Sequence, residues 1–382
     1  MENTKINNNE VKVLIFTMTC GEGHNMIAKS LSFAFEEKNI KTKIVQTYGY
    51  NEKRVAKENK KYLWACKHIP HLYNFVWNKL RKKNHYTNKL PSYVKFCLPH
   101  FLDEINNFNP NIIICTHYYA SSVVSYIKKN NLIDKNIVTS TILTDFCVHP
   151  YWEHSINVDY VIQALENTTS DLIKKGFTQE QIYTTGMPIR ETFYKPYNKE
   201  QEKQKLKLQG KIVTIVGGGN GLGNTLKLVK SIIKEKLNIT IIVINGKNVK
   251  NYNKINKFIN KNKINNIINL GFINNIDEYM KSSDIIITRC GSSCLSECIS
   301  LQIPFIMREK MILNEQLNKE LFIKLGCGIG MNKITEGGSK VKYLLENENI
   351  YTAMKTNISK IQHPYSAQKI VEFLLSKEKD EK

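Results

Sequence analysis

Apolar residues in this chain come in short runs that alternate with stretches of helical period. VKVLIFTM, residues 11–18, is a nearly unbroken apolar run of the kind that fills a strand buried on both faces. Residues 25–38 follow with helical spacing, and Ile27, Leu31, Ala34 and Phe35 fall on one face. Further strands are predicted at 42–47, 111–116, 137–145, 158–164 and near 182–186, with a helix over 118–129. A polar stretch from Tyr194 to Lys211 reads as a linker with a weak helix. The alternation then restarts. Strands fall near 212–216, 239–245, 266–270, 284–288 and 303–307, and helices over 224–236, 249–262, 275–282, 293–301 and 314–325. Such alternation predicts an α/β fold with parallel sheets covered on both faces. The expected division is residues 1–197, residues 198–362, and a C-terminal helix with its tail at 363–382 that crosses back onto the first half.

Two strand-to-helix junctions are rich in glycine. The first is Thr19-Cys20-Gly21-Glu22-Gly23-His24; the second is Gly217-Gly218-Gly219-Asn220-Gly221-Leu222-Gly223. Glycines let the backbone approach a ligand, and N–H groups at a helix start attract anions, so each turn reads as a phosphate cradle. Two such units suggest two Rossmann-like domains serving one phosphorylated ligand. A nicotinamide-cofactor site would place an acid on the ribose about twenty residues later. Ile239–Asn245 offers none.

A third turn, Thr288-Arg289-Cys290-Gly291-Ser292-Ser293-Cys294, opens the helix that carries Glu297. Its Gly and Ser donors suit a diphosphate. Glu297 lies one helical turn past Ser293, where a carboxylate can accept both hydroxyls of a ribose. Two groups qualify as a general base. His24 starts a helix, whose dipole favours the neutral imidazole; Asp145 ends a strand, where α/β ligand sites form. Cys290, Cys294 and Cys298 recur every four residues without paired C-x-x-C spacing, so they read as small packing residues. His149 and His154 lack a convincing ligand set for a metal.

Charge then changes the picture. The chain of 382 residues has a formal net charge of +21, which points to anionic partners. Only five of its 55 basic residues are arginine, and no nucleic-acid recognition motif is present. The basic excess concentrates at 53–96, where Trp64, Trp77 and several other aromatics are interleaved with Lys79, Arg81, Lys82, Lys83 and further lysines. Basic residues mixed with interfacial aromatics read as a membrane-surface element; the competing reading is a helical insertion with core aromatics. No apolar run approaches the ~18 residues of a spanning helix, and the N-terminus has no apolar signal region. Nine scattered cysteines argue against a disulfide framework. The expected location is cytoplasmic, peripheral on the inner face of the cell membrane.

These motifs, in this order, resemble the monogalactosyldiacylglycerol synthase and processive diacylglycerol glucosyltransferase family. TCGEGH resembles its glycine-histidine turn, and TDFCVHPYW with the block through TTGMPI its acceptor-domain signature. GGGNGLG resembles the opening loop of its donor domain, and GFINNIDEYMKSSDIIITRCGSSCLSEC its sugar-nucleotide signature. The resemblance implies a GT-B architecture, two Rossmann-like domains facing across a cleft, and inverting transfer from a UDP-sugar to diacylglycerol or its glycosylated product. It implies donor contacts from Gly217, Gly218, Gly219, Gly271, Phe272, Ile273, Gly291, Ser292, Ser293, Glu297, Glu315 and Asn318. The uracil would lie near Gly271–Ile273, Glu297 would hold the ribose, and Glu315 and Asn318 would face the sugar. Gly21, Glu22 and Gly23 would form the acceptor-side phosphate loop. The nucleotide sugar is then a substrate; no cofactor or metal is expected, and no nucleic acid. The family often has a Gly-Pro-Gly-Thr type turn where this chain has Gly291-Ser292-Ser293-Cys294, which leaves glucose, galactose and N-acetylglucosamine open as the sugar. The rival readings are a UDP-N-acetylglucosamine transferase or epimerase of the same fold, or a non-enzymatic basic lipid- or nucleic-acid-binding protein.

Overall fold

The structure, a computed structural model, describes residues 11–19, 22–49, 51, 53, 56, 57, 60, 64, 69, 72, 74, 75, 77–79, 91–217, 224–309 and 312–380. The chain divides into two compact units. One holds the chain up to Arg190 together with Tyr365 onward; the other is Glu191–Pro364.

The first unit is built on six parallel strands: β1 (Lys12–Thr17), β2 (Lys41–Gln46), β3 (Ile112–Cys115), β4 (Val138–Ile142), β5 (Tyr160–Gln163) and β6 (Ile182–Thr184). Their spatial order is β2-β1-β3-β4-β5-β6. Helices α1 (Gly23–Glu36), α2 (Ser92–Phe108), α3 (Tyr118–Lys129) and α4 (Thr169–Lys174) connect them. Strands β3 and β4 are buried at every position, as expected for a parallel sheet covered on both faces. The strand order reverses direction between β1 and β3, and crevices form beyond the carboxyl ends of strands at such a switch point.

The second unit repeats the plan. Helix α5 (Lys199–Lys205) precedes β7 (Lys211–Val216), α6 (Thr225–Lys234), β8 (Ile239–Ile244), α7 (Val249–Asn262), β9 (Ile267–Leu270) and α8 (Ile276–Lys281). Then come β10 (Ile285–Thr288), α9 (Ser292–Ser300), β11 (Phe305–Met307), α10 (Leu313–Lys324) and β12 (Gly328–Gly330), and finally α11 (Gly337–Glu346) and α12 (Glu348–Lys360). The order is β12-β11-β10-β7-β8-β9, so this switch point lies between β7 and β10.

The last helix, α13 (Ser366–Asp380), returns to the first unit as expected. It buries Ala367, Ile370, Val371 and Leu374. Phe373 stacks on Tyr183 with ring centroids 3.9 Å apart, and Asn111 Nδ2 donates to Glu378 Oε1 at 3.2 Å. Burying each aliphatic side chain is worth about 1.5–3 kcal/mol, so the first unit depends on this helix for part of its core.

Helices α2, α4, α11 and α12 and strand β12 lie outside the sequence expectation. Helix α2 starts at the end of the basic stretch, and its Phe101 stacks on Phe16 of β1 at 3.8 Å. Strand β12 reads Gly-Ile-Gly because a Cβ on Gly328 would sit 2.6 Å from Phe305 of β11. Helix α11 begins with two glycines because it crosses α6 closely: a Cβ on Gly338 would lie 2.1 Å from the Ser231 carbonyl. Helix α12 follows it directly.

Candidate functional site

In the first unit, polar side chains gather at the carboxyl ends of β1, β3 and β4. Thr17 and Thr116 are fully buried and bonded to each other, Thr116 Oγ1 donating to Thr17 Oγ1 at 2.8 Å. Thr17 Oγ1 donates to Asn25 Oδ1 at 3.2 Å, and Asn25 Nδ2 donates to Thr19 Oγ1 at 2.9 Å. Gln46 closes the ring, accepting from the Thr19 N–H at 3.1 Å. This network fixes the chain entering α1. Glu22 is the helix N-cap and is exposed, Gly23 is the first helical residue, and Gly21 lies outside the described residues.

His24 is the second residue of α1. Its Nδ1 is 2.6 Å from the Thr116 carbonyl and 3.0 Å from Thr144 Oγ1. A carbonyl only accepts, so Nδ1 carries the hydrogen and Nε2 keeps the lone pair. Burial lowers the pKa of His24 to about 4, against a smaller upward pull from the Thr116 bond. The helix dipole is therefore not the main cause of its neutrality; desolvation is. As a whole residue His24 is half-buried. Asp145, the other candidate base, directly follows Thr144, whose Oγ1 meets His24; Asp145 Oδ1 accepts from the Phe146 N–H at 3.3 Å.

Sequence reading missed His117. It caps α3, its Nδ1 accepting from the Tyr119 N–H at 3.1 Å, and meets the His24 ring edge-on at 4.7 Å. Burial, with His24 and His149 nearby, holds it well below the usual imidazole range. Its one sequence signal was a polar residue just past a buried strand. His149, weighed earlier with His154 as a metal pair, instead lies between the rings of Tyr118 and Trp77. Burial lowers its pKa to about 3. Among the described residues no group of three or more His, Cys, Asp or Glu is placed to hold a metal ion.

The basic stretch needs one correction. Trp77, expected at a membrane surface, is only 5% exposed and packs on His149, because it shares the inward side of its helix with the buried Asn74. The outward side carries Leu72, 56% exposed, and Phe75, 65% exposed, with exposed Lys79 nearby. Trp64 is also exposed. Arg81, Lys82 and Lys83 lie outside the described residues. Among the described residues no helix is long and apolar enough to cross a membrane.

In the second unit the candidate donor residues gather at the carboxyl ends of β7, β9 and β10. Gly217 follows β7, its N–H donating to the Ile244 carbonyl at 3.1 Å; Gly218 and Gly219 lie outside the described residues. Gly271, Phe272 and Ile273 follow β9. Phe272 is exposed, with Lys247 Nζ 5.7 Å from its ring centroid. Gly291 is the N-cap of α9, with Ser292 and Ser293 in the first turn and half-buried Glu297 one turn on. A helix start turns its first N–H groups away from the helix's own carbonyls, a geometry suited to an anion.

The turn before α9 is braced from α10. Cys290 has φ +71°, a left-handed conformation uncommon for a side chain with a Cβ. Asn318 Nδ2 donates to the Cys290 carbonyl at 3.0 Å, and Arg289 pairs with Glu315 at 3.1 Å. Asn318 is 0% exposed and braces this turn through its bond to the Cys290 carbonyl. Burial pushes the Cys290 and Cys298 thiols up, as suits packing residues. A further group unseen in the sequence is the asparagine cluster beyond β8: Asn245 Nδ2 donates to Asn269 Oδ1 at 2.7 Å, and Asn251 Nδ2 to Asn245 Oδ1 at 2.6 Å.

With this geometry in place, the comparisons are specific. Residues 24–189 match the family model for monogalactosyldiacylglycerol (MGDG) synthase, and residues 212–363 that for the glycosyltransferase family 28 C-terminal domain. The chain is 31% identical over 370 residues to a processive diacylglycerol beta-glucosyltransferase of Bacillus cytotoxicus, covering 95% of this chain and 93% of that one. It is 30% identical over 372 residues to the enzyme of the same name from Bacillus cereus strain B4264, covering 96% and 93%. Among solved structures, Acinetobacter baumannii MurG is similar with a TM-score of 0.65 at 12% identity, covering 96% of this chain and 99% of that one. S. aureus MnaA, solved with UDP, has a TM-score of 0.61 at 15% identity, covering 96% and 97%. At such identities these structures establish the fold, which is GT-B.

Proposed function

The chain belongs to the processive diacylglycerol beta-glucosyltransferase family, and from that premise we infer that it transfers a hexose from a UDP-sugar to diacylglycerol, making a glycolipid. The observation that carries the chemistry is His24, a neutral imidazole whose Nδ1 is tied to the Thr116 carbonyl and whose Nε2 is left as the basic atom.

The proposed reaction is one displacement. The acceptor hydroxyl oxygen bonds to the anomeric carbon, the bond from that carbon to UDP breaks, and UDP leaves with the electron pair. The hydroxyl proton passes to His24 Nε2, with Asp145 the alternative base. One displacement inverts the anomeric centre. The first turn of α9, with Ser292 and Ser293, takes the diphosphate charge, and Glu297 takes the ribose. Such fixed donors stabilise the charge that develops as UDP leaves. Glucose is the proposed sugar. The test is turnover of diacylglycerol liposomes against a panel of UDP-sugars, read by thin-layer chromatography. UDP-glucose is expected to give glycolipid; a panel in which only UDP-N-acetylglucosamine reacts would favour the rival transferase.

No metal has a role in this scheme. Added chelator is therefore expected to leave turnover largely intact; loss of activity that divalent ions restore would overturn this part.

The proposed seat is the cytoplasmic face of the membrane, held peripherally. Exposed Leu72, Phe75 and Trp64 supply an apolar part, and the lysines an electrostatic part of about 1 kcal/mol each at most, screened by salt. Sedimentation with anionic liposomes is expected to show binding that falls, but not to zero, in high salt. Leu72→Ser with Phe75→Ser removes the salt-resistant part. Protein that ignores anionic liposomes at low salt would contradict this seat.

A further inference from the structure

Five rings run in contact through the first unit and end on His24. Trp77 and His149 have centroids 4.5 Å apart; His149 stacks on Tyr118 at 4.4 Å with planes 8° apart. Tyr118 stacks on His117 at 4.3 Å, and His117 meets His24 at 4.7 Å with planes 77° apart. Two of the rings are pinned by main chain. His117 Nδ1 accepts from the Tyr119 N–H at 3.1 Å, and His149 Nδ1 from the Tyr151 N–H at 3.3 Å. Both therefore carry their hydrogen on Nε2, the opposite tautomer to His24.

The hydrogen bonds to His24 all meet at one atom. Thr116 and Thr144 both hold Nδ1, and a ring held at one atom still tilts about it. The edge-on contact with His117 supplies a second restraint, on the ring plane. His117 is itself stacked on Tyr118, Tyr118 on His149, and His149 on Trp77. At the far end, Trp77 lies on the inward side of the helix whose outward side carries Leu72 and Phe75. The column thus runs from the site to the segment that also carries the exposed Leu72 and Phe75.

We propose that this column positions the catalytic base: His117 fixes the ring plane of His24, and Trp77 sets the column from its far end. Trp77 and His117 are then positioning residues, and the catalytic part of the inference rests on His24 being the base. A side chain that touches no substrate would thereby control turnover, since a displacement of 1 Å at a catalytic group costs about a hundredfold.

The test follows the Nδ1–H signal of His24 by NMR in protein labelled with 15N at histidine, alongside kinetics. Trp77→Ala is expected to shift or broaden that signal and to lower kcat about ten- to a hundredfold, with KM for the UDP-sugar unchanged. Trp77→Phe, which keeps a ring in the column, is expected to restore both. Trp77→Leu keeps apolar volume without a ring; if Trp77→Ala fails to fold, it carries the same expectation. The dispersed signals of the other first-unit histidines, with circular dichroism, report that the first unit of each variant is folded. An unmoved His24 signal in a folded Trp77→Ala or Trp77→Leu protein would overturn the column. A signal that moves while kcat stays unchanged would support the column and overturn His24 as the base.

Discussion

Replacing His24 with alanine is expected to lower turnover about 10²–10⁴-fold, the range for loss of a general base, while UDP affinity stays where it was. The split follows from placement: His24 belongs to the first unit, and the turns proposed to bind the nucleotide belong to the second. The pH profile checks the same assignment. A base must be neutral to act, and burial lowers the pKa of His24 to about 4. Activity set by His24 rises as pH climbs through about 4 and is flat by neutral pH. A histidine at its ordinary value near 6.5 would still be gaining activity there. If His24→Ala retains turnover within a few-fold and Asp145→Asn is dead, the base is Asp145.

Glu297→Ala is expected to weaken UDP binding by about 2–4 kcal/mol, the loss of two hydrogen bonds to a charged acceptor. Acceptor affinity should hardly change. Glu297 sits one turn into α9, behind the first turn, beginning at Gly291 and Ser292, that is proposed to hold the diphosphate. A carboxylate there reaches a ribose whose diphosphate lies on the helix start. Calorimetry with UDP giving unchanged affinity would remove Glu297 from the donor site.

Much of this was legible from residue order. Strands such as β3 and β10 announce themselves because a parallel strand covered on both faces is nearly all apolar, whereas β4 buries Thr139, Ser140 and Thr141 as well. The glycine turns are legible because glycine in such density is costly unless the backbone needs it. What escaped were elements whose residues serve a neighbour. Strand β12 and the start of α11 look like loops, since their glycines exist to clear Phe305 and the Ser231 carbonyl.

Inward and outward faces of the basic stretch were also illegible. Trp77 and Phe75 are both aromatic and two positions apart, yet one packs on His149 and the other is exposed. His117 was missed because one histidine past a strand has no pattern; its meaning comes from Thr116, which holds His24 from the preceding position. Asn318 was placed at the site on resemblance; its full burial and its bond to the Cys290 carbonyl were not legible in the sequence.

The most direct measurement is the product itself. Purified protein is incubated with diacylglycerol liposomes and UDP-glucose, and the extracted lipid is examined by NMR for its anomeric configuration. The account predicts glucosyl-diacylglycerol in the β configuration, formed only when diacylglycerol is present and lost in His24→Ala. An α-linked product, or release of UDP with no sugar on the lipid, would contradict it.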